Sequence, residues 1–193
     1  MQRGLIIVIT GHGKGKTTSA LGTAFRAIGQ GLKVLVIQFL KSSPVYGEIE
    51  TAKRLAPELE IIQAGKDCVF PVKSSQRYAC PNCDFACHVD PKNPSADDKA
   101  AAADALELAR TRITSDRYDL VILDEINYAI EYGLVSVDEV LKLAKDKPAK
   151  LHLVLTGRNA PPQLTAAADL VSEVLEIKHP FQNGLKSVKG IDY

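Results

Sequence analysis

Nine residues constrain this chain more than any others: Thr10-Gly-His-Gly-Lys-Gly-Lys-Thr-Thr18, directly after the apolar run Leu5–Ile9. A buried strand that ends in a glycine-rich turn and then opens a helix is the layout of a phosphate-binding loop. Glycines let consecutive backbone N–H groups turn inward around phosphate oxygens. Lys16 then reaches the outer phosphates, and the Thr17 hydroxyl can ligate a magnesium ion. The spacing is not the usual Gly-x4-Gly-Lys-Ser/Thr, because counting back from Gly15 lands on Thr10; the form here is Gly11-x3-Gly15-Lys16-Thr17. The loop implies a nucleoside triphosphate bound by Gly11, Gly13, Lys14, Gly15, Lys16, Thr17 and Thr18. His12 either faces phosphate or only tolerates an unusual backbone angle.

The rest of the chain fits that start. Apolar strand candidates at 4–9, 33–39, 59–63, 119–125, 151–156 and 175–177 alternate with helical patterns at about 16–30, 48–55, 96–113 and 136–148. Such alternation predicts an α/β fold with a mostly parallel sheet of about six strands and helices on both faces. Ser136-x-x-Glu139 is a capping box that opens one of those helices. Residues 175–177 read as an edge strand before an irregular tail, 179–193. Residues 64–96 break the rhythm with Gly65, Pro71, Pro81, Pro91, Pro94 and all four cysteines. The expectation is one nucleotide-binding domain over 1–193 with this cysteine-rich loop set into it.

Charge narrows the partners. Net charge is +1 with 24% charged residues, so no broad basic field points to nucleic acid. The longest apolar runs are about half a membrane span, with no signal-peptide core at the N-terminus. A cytoplasmic protein without membrane partners is expected.

Tyr118-Asp-Leu-Val-Ile-Leu-Asp124-Glu125 is an apolar strand ending in two carboxylates. In P-loop proteins the strand beside the loop brings an acidic residue to the metal that bridges the phosphates. Thr17 with the pair Asp124-Glu125 is the expected magnesium site. Arg158, after the strand that ends at Thr156-Gly157, either contacts the triphosphate or is a surface loop residue. Lys41 is a further candidate for the phosphates. Tyr128 and Asn127 either face a ligand or, for Tyr128, pack into the core. Glu48 and Arg54 belong either to a ligand site or to a solvated helix face.

Several separated segments coincide with one family. Thr10-Gly-x-Gly-Lys-Gly-Lys-Thr-Thr-x-Ala-x-Gly22, Gln38-Phe-x-Lys41 with Gly47-Glu48, and Leu123-Asp-Glu-x-Asn-Tyr128 resemble the P-loop-type ATP:corrinoid adenosyltransferases. So do Thr156-Gly-Arg158, Lys178-His-Pro-Phe-x-x-Gly184 and Lys189-Gly-Ile-Asp-Tyr193. The resemblance runs from Gly4 to Tyr193 apart from about 64–96, and it covers the unusual glycine spacing. It implies a RecA-like fold, a homodimer, and ATP bound in reversed direction across the loop with magnesium or manganese. The substrate it implies is a corrinoid reduced to cobalt(I), with a reduced flavoprotein as the expected electron donor. Cobalt attacks the ribose 5′ carbon and the whole triphosphate leaves. On that reading Lys16, Thr17, Glu125 and Arg158 serve catalysis, with Thr17 and Glu125 holding the magnesium and Asp124 orienting its water shell, and Lys41, Phe70 and Tyr128 lie with the bound substrates. The rivals are a P-loop ATPase or small-molecule kinase, which would yield ADP, and a nucleotide-gated corrinoid-binding protein without turnover.

Two features depart from the family. Better-known members carry an N-terminal arm ahead of the first strand, whereas the strand here begins at residue 4, so an arm-based lid is expected to be missing. Those members also have a Phe and a Trp that push away the lower cobalt ligand, and Cys68 and Phe70 stand there instead. Cys80-x2-Cys83-x3-Cys87 with His88 and the distant Cys68 offers soft ligands for zinc, for an iron–sulfur cluster, or for redox-active thiols without metal. Zinc is the favoured reading of the three.

Overall fold

In the computed structural model, residues 3–42, 46–66, 89–185 and 187–192 are described. They form a six-stranded sheet in the order β3-β2-β4-β5-β1-β6. The strands are β1 (Ile6–Thr10), β2 (Val34–Phe39), β3 (Leu59–Ala64), β4 (Leu120–Asp124), β5 (His152–Thr156) and β6 (Leu170–Glu173). Every pairing is parallel. The register places Gln38 beside Asp124 and Ile9 beside Thr156, so the polar residues that end four strands line one edge of the sheet.

Helices cover both faces because the strand residues alternate. Leu35, Ile37, Phe39, Val121, Leu123, Leu153 and Leu155 meet one layer, made by α3 (Ala96–Ile113), α4 (Ile126–Glu131), α5 (Val137–Asp146) and α6 (Pro162–Ala167). Val34, Val36, Leu120, Ile122 and Val154 meet the other, made by α1 (Lys16–Gly29) and α2 (Gly47–Arg54). Each fully buried Leu, Ile or Val contributes about 1.5–3 kcal/mol. The alanines at 102, 105 and 109 of α3 are buried and let that helix approach the sheet closely. Both α3 and α5 open with complete capping boxes, Ser95 with Asp98 and Ser136 with Glu139.

The last strand is a correction to the reading of the sequence. Residues 175–177 are not a strand: the edge strand is β6, five residues earlier, which pairs with Ile7–Thr10 of β1 although its own four residues are exposed. Asp169 fixes its start, since the Ile6 N–H donates to the carboxylate at 2.8 Å and Arg3 pairs with it. The chain then leaves the sheet at Val174 to pass under the phosphate loop. Helices α4 and α6, six residues each, were too short to carry a periodic signal. Among the described residues, no helix is long and apolar enough to cross a membrane.

Candidate active site

The loop between β1 and α1 is held from below by the strand exit it crosses. The Gly13 N–H donates to the Val174 carbonyl at 2.8 Å. A Cβ on Gly11 would lie 2.4 Å from that oxygen, and one on Gly13 would lie 2.6 Å from the Leu175 carbonyl. Gly11 also has φ +102° and Gly15 +118°, the left-handed region that suits glycine. The shortened glycine spacing therefore matches a loop laid flat on its neighbour. Thr10 anchors the other side, its hydroxyl accepting from the Ala160 N–H at 3.2 Å.

A cleft of about 470 Å3 opens above the loop, lined by residues 14–18, Leu21, Lys41, Tyr46–Glu48, Thr51, Glu125 and Gly190–Asp192. That volume falls in the roughly 300–1,000 Å3 range of small-molecule sites. Lys14, Lys16, Thr17, Thr18, Lys41 and Glu125 thus share one cavity. Lys16 is buried and donates to the Gly13 carbonyl at 2.8 Å. Burial lowers its pKa and Arg158 adds to the effect, while Glu125 and Asp124 oppose it. Arg158 lies outside the lining, yet its charge bears on Lys16, Glu125 and Tyr128. His12 is exposed on the loop and also lies outside the lining.

The two carboxylates at the end of β4 divide the work. Asp124 is fully buried and its acceptor sites are taken. Thr17 Oγ1 donates to it at 2.9 Å, Thr156 Oγ1 at 2.7 Å and Lys41 Nζ at 2.7 Å. Burial would lower the Lys41 pKa, but this contact with Asp124 outweighs it and leaves the ammonium above its ordinary value. Glu125 is the opposite case, with a buried Oε2 that has no hydrogen-bond partner. Burial, reinforced by Asp124, raises its pKa against the pull of Lys41, Lys16 and Arg158. Its backbone sits at φ +63°, and the Thr156 hydroxyl accepts from its N–H at 3.0 Å. One hydroxyl thus links Asp124 to the placement of Glu125. An orphaned, desolvated carboxylate that shares a cleft with the Thr17 hydroxyl offers oxygen donors of the kind a small divalent cation takes.

The ambiguous residues also find places. Asn127 is fully buried and donates to the Gly157 carbonyl at 3.2 Å, which ties α4 to the end of β5. Tyr128 is half-buried, its ring tilted 44° against Tyr132 at 5.4 Å, and burial raises both phenols. Glu48 lines the cleft, while Arg54 does not. The residue that holds Glu48 stands in the motif Gln38-Phe-x-Lys41 but carried no role of its own there. Gln38 is fully buried in β2, donates to Glu48 Oε1 at 3.0 Å and accepts from Gln63 Nε2 at 3.1 Å. A glutamine inside Val-Leu-Val-Ile-Gln-Phe was the signal, since a buried amide needs partners. Tyr46, whose ring lies 5.5 Å from Lys41 Nζ, gave no such signal. Phe70, Cys68, Cys80, Cys83 and Cys87 lie outside the described residues. Among the described residues, no group of three or more His, Cys, Asp or Glu side chains could hold a metal.

A model of the family described as ATP:corrinoid adenosyltransferase BtuR/CobO/CobP matches residues 2–193. The chain belongs to this family. It is 37% identical to a corrinoid adenosyltransferase of Sinorhizobium sp, covering all of this chain and 81% of that one. Identity to the corrinoid adenosyltransferase of Pseudomonas aeruginosa is 34%, and to that of Escherichia coli K12 33%, with 85% and 87% of those chains covered. Two solved structures share the fold at low identity. The flagellar accessory protein FlaH of Methanocaldococcus jannaschii gives TM-score 0.54 at 15% identity, over 90% of this chain and 72% of FlaH. A KaiC-like protein of Pyrococcus horikoshii gives 0.52 at 13%, over 90% and 74%. The α/β P-loop architecture and the family expected of the motifs are both found. For this adenosyltransferase family member, the free carboxylate and the cluster of cations stand at the carboxyl ends of β1, β2 and β4, where open α/β sheets bind ligands.

Proposed function

We propose that this enzyme transfers the 5′-deoxyadenosyl group of ATP to the cobalt(I) of a reduced corrinoid and releases triphosphate. The observation that carries the reading is the family match over residues 2–193 on a chain whose loop lysine and free carboxylate share one cleft. Cobalt(I) supplies the electron pair that forms the carbon–cobalt bond. The bond from the 5′ carbon to its oxygen breaks, and that pair leaves with the triphosphate.

No side chain needs to act as nucleophile, so the protein's work is alignment and charge stabilisation. Lys14, Lys16, Thr18 and the amides of residues 11–15 would grip the triphosphate, with Lys41 and Arg158 adding positive charge around the leaving oxygens. Thr17 and Glu125 fit a magnesium or manganese ion, which would neutralise part of the growing charge when bound. Asp124 stays with Lys41 and Thr156 and keeps Glu125 in place. The corrinoid exceeds the space left in a cleft of about 470 Å3, so it would lie across the mouth, with Tyr128 and Phe70 as the side chains that the family resemblance assigns to the bound substrates. The enzyme would act as a homodimer in the cytoplasm, with a reduced flavoprotein as electron donor, as the family resemblance implies.

Calorimetric titration with inorganic tripolyphosphate and magnesium tests the placement of the phosphates. Binding to the wild type, lost in Lys16→Ala with folding intact, is the expected result. Retained binding in Lys16→Ala would remove the loop from the site.

A further inference from the structure

Of the three lysines lining the cleft, Lys41 is committed to Asp124 and Lys16 donates to a carbonyl of its own loop. Lys14 also lines the cleft, with 44% of its side chain exposed. Its partner comes from the far end of the chain: Asp192 Oδ1 forms an ion pair with Lys14 Nζ. The carboxylate is held for that contact. Asp192 Oδ2 accepts from the Val188 N–H, and the Asp192 N–H returns to the Val188 carbonyl at 2.8 Å. Gly190, at φ +79°, allows this tight turn, and only 18% of the Asp192 side chain is exposed. Gly190, Ile191 and Asp192 together form part of the cleft wall.

A carboxylate facing a phosphate cradle repels the ligand the cradle is built for. It can stay only by occupying a cation that the phosphates would otherwise use. We propose that Asp192 is a tethered counter-anion that competes with the terminal phosphate of ATP, and with the triphosphate product, for Lys14. This rests on the proposed placement of triphosphate on the loop. A product with four or five negative charges on two lysines, a row of amides and a metal ion would leave slowly. A carboxylate held beside Lys14 acts at an effective concentration in the millimolar range, so it can retake the lysine as the product's end lifts. Asp192 is thus a positioning residue for Lys14 whose benefit falls on release, a step that limits turnover in many enzymes.

The test compares wild type, Asp192→Asn, Lys14→Ala and the double variant, with inorganic tripolyphosphate and magnesium as the probe. Asp192→Asn is expected to tighten tripolyphosphate about two- to five-fold, the scale of an exposed ion pair. The gain should vanish in the Lys14→Ala background and shrink as salt is raised. With ATP and cob(I)alamin, steady-state turnover should fall by a similar factor while the first turnover keeps its rate. Unchanged or weaker tripolyphosphate binding in Asp192→Asn, or a gain that survives Lys14→Ala, overturns the proposal. If Lys16→Ala also binds tripolyphosphate normally, the placement of the phosphates fails and this inference falls with it. If Lys16→Ala abolishes binding and Asp192→Asn changes nothing, only the role of Asp192 is refuted.

Discussion

Glu125→Gln keeps the shape of the side chain and removes its charge, so it separates a stability effect from a functional one. In the free enzyme Glu125 Oε2 is buried without a partner, and burial with Asp124 alongside holds the carboxyl above its usual range. An unsatisfied buried polar atom costs roughly 1–3 kcal/mol. The glutamine amide still needs a partner, and Lys16, Lys41 and Arg158 lose an attractive charge, so the net gain is about 1 kcal/mol. For a chain of this size that raises the thermal midpoint by roughly 2–4 °C.

The pH dependence has a defined sign. Well below the ordinary glutamate range the carboxyl is protonated in both folded and unfolded chains, and the variant has no charge advantage. As pH rises, the unfolded chain ionises first, and wild-type stability falls until the folded carboxyl ionises as well. The advantage of Glu125→Gln is therefore present at pH 7 and fades toward pH 4. Magnesium-dependent transfer should drop by roughly 100-fold or more, since even outer partners of a bound metal are worth 10–100-fold. Thermal melts of the ligand-free enzyme from pH 4 to pH 8, with transfer assays beside them, read both effects. A variant less stable than wild type at pH 7, a shift independent of pH, or intact transfer would refute the reasoning.

Two other outcomes follow from named contacts and a third from the cysteine spacing in the sequence. Gly13→Ala should lose stability and tripolyphosphate binding together, because its Cβ meets the Leu175 backbone at 2.6 Å and neither chain can yield cheaply; unchanged melting and binding would contradict the packing. Thr156→Val leaves Asp124 and the Glu125 N–H each short of a partner, so about 1–3 kcal/mol of stability should be lost in denaturant melts, with weaker magnesium dependence of transfer. Metal analysis of the purified enzyme should find one zinc per chain, lost when Cys80 and Cys83 are replaced by serine; neither zinc nor iron would exclude a metal on the cysteine-rich loop.

The phosphate loop, the acidic end of β4 and both sides of the α/β alternation were legible because each is written in neighbouring residues. Gly15-Lys16-Thr17, a five-residue apolar strand and Ser136-x-x-Glu139 carry their own geometry. The last strand was not, because 170–177 carries apolar residues in both halves, and the choice of the first half depends on Asp169 meeting Arg3 and the Ile6 amide at the other end of the chain. Asp124 and Glu125 looked equivalent in sequence. What separates them is which donors surround each, and those come from Thr17 on α1, Thr156 on β5 and Lys41 in the loop after β2. The pairing of Lys14 with Asp192 joins the two ends of the chain, and no local pattern announces it.

In the proposed transfer ATP gives up its 5′-deoxyadenosyl group whole. Anaerobic incubation of the enzyme with ATP, magnesium and chemically reduced cob(I)alamin should yield a light-sensitive alkylcobalamin and an equal amount of inorganic triphosphate. ADP and phosphate with the corrinoid unchanged would contradict it and make the protein a P-loop ATPase.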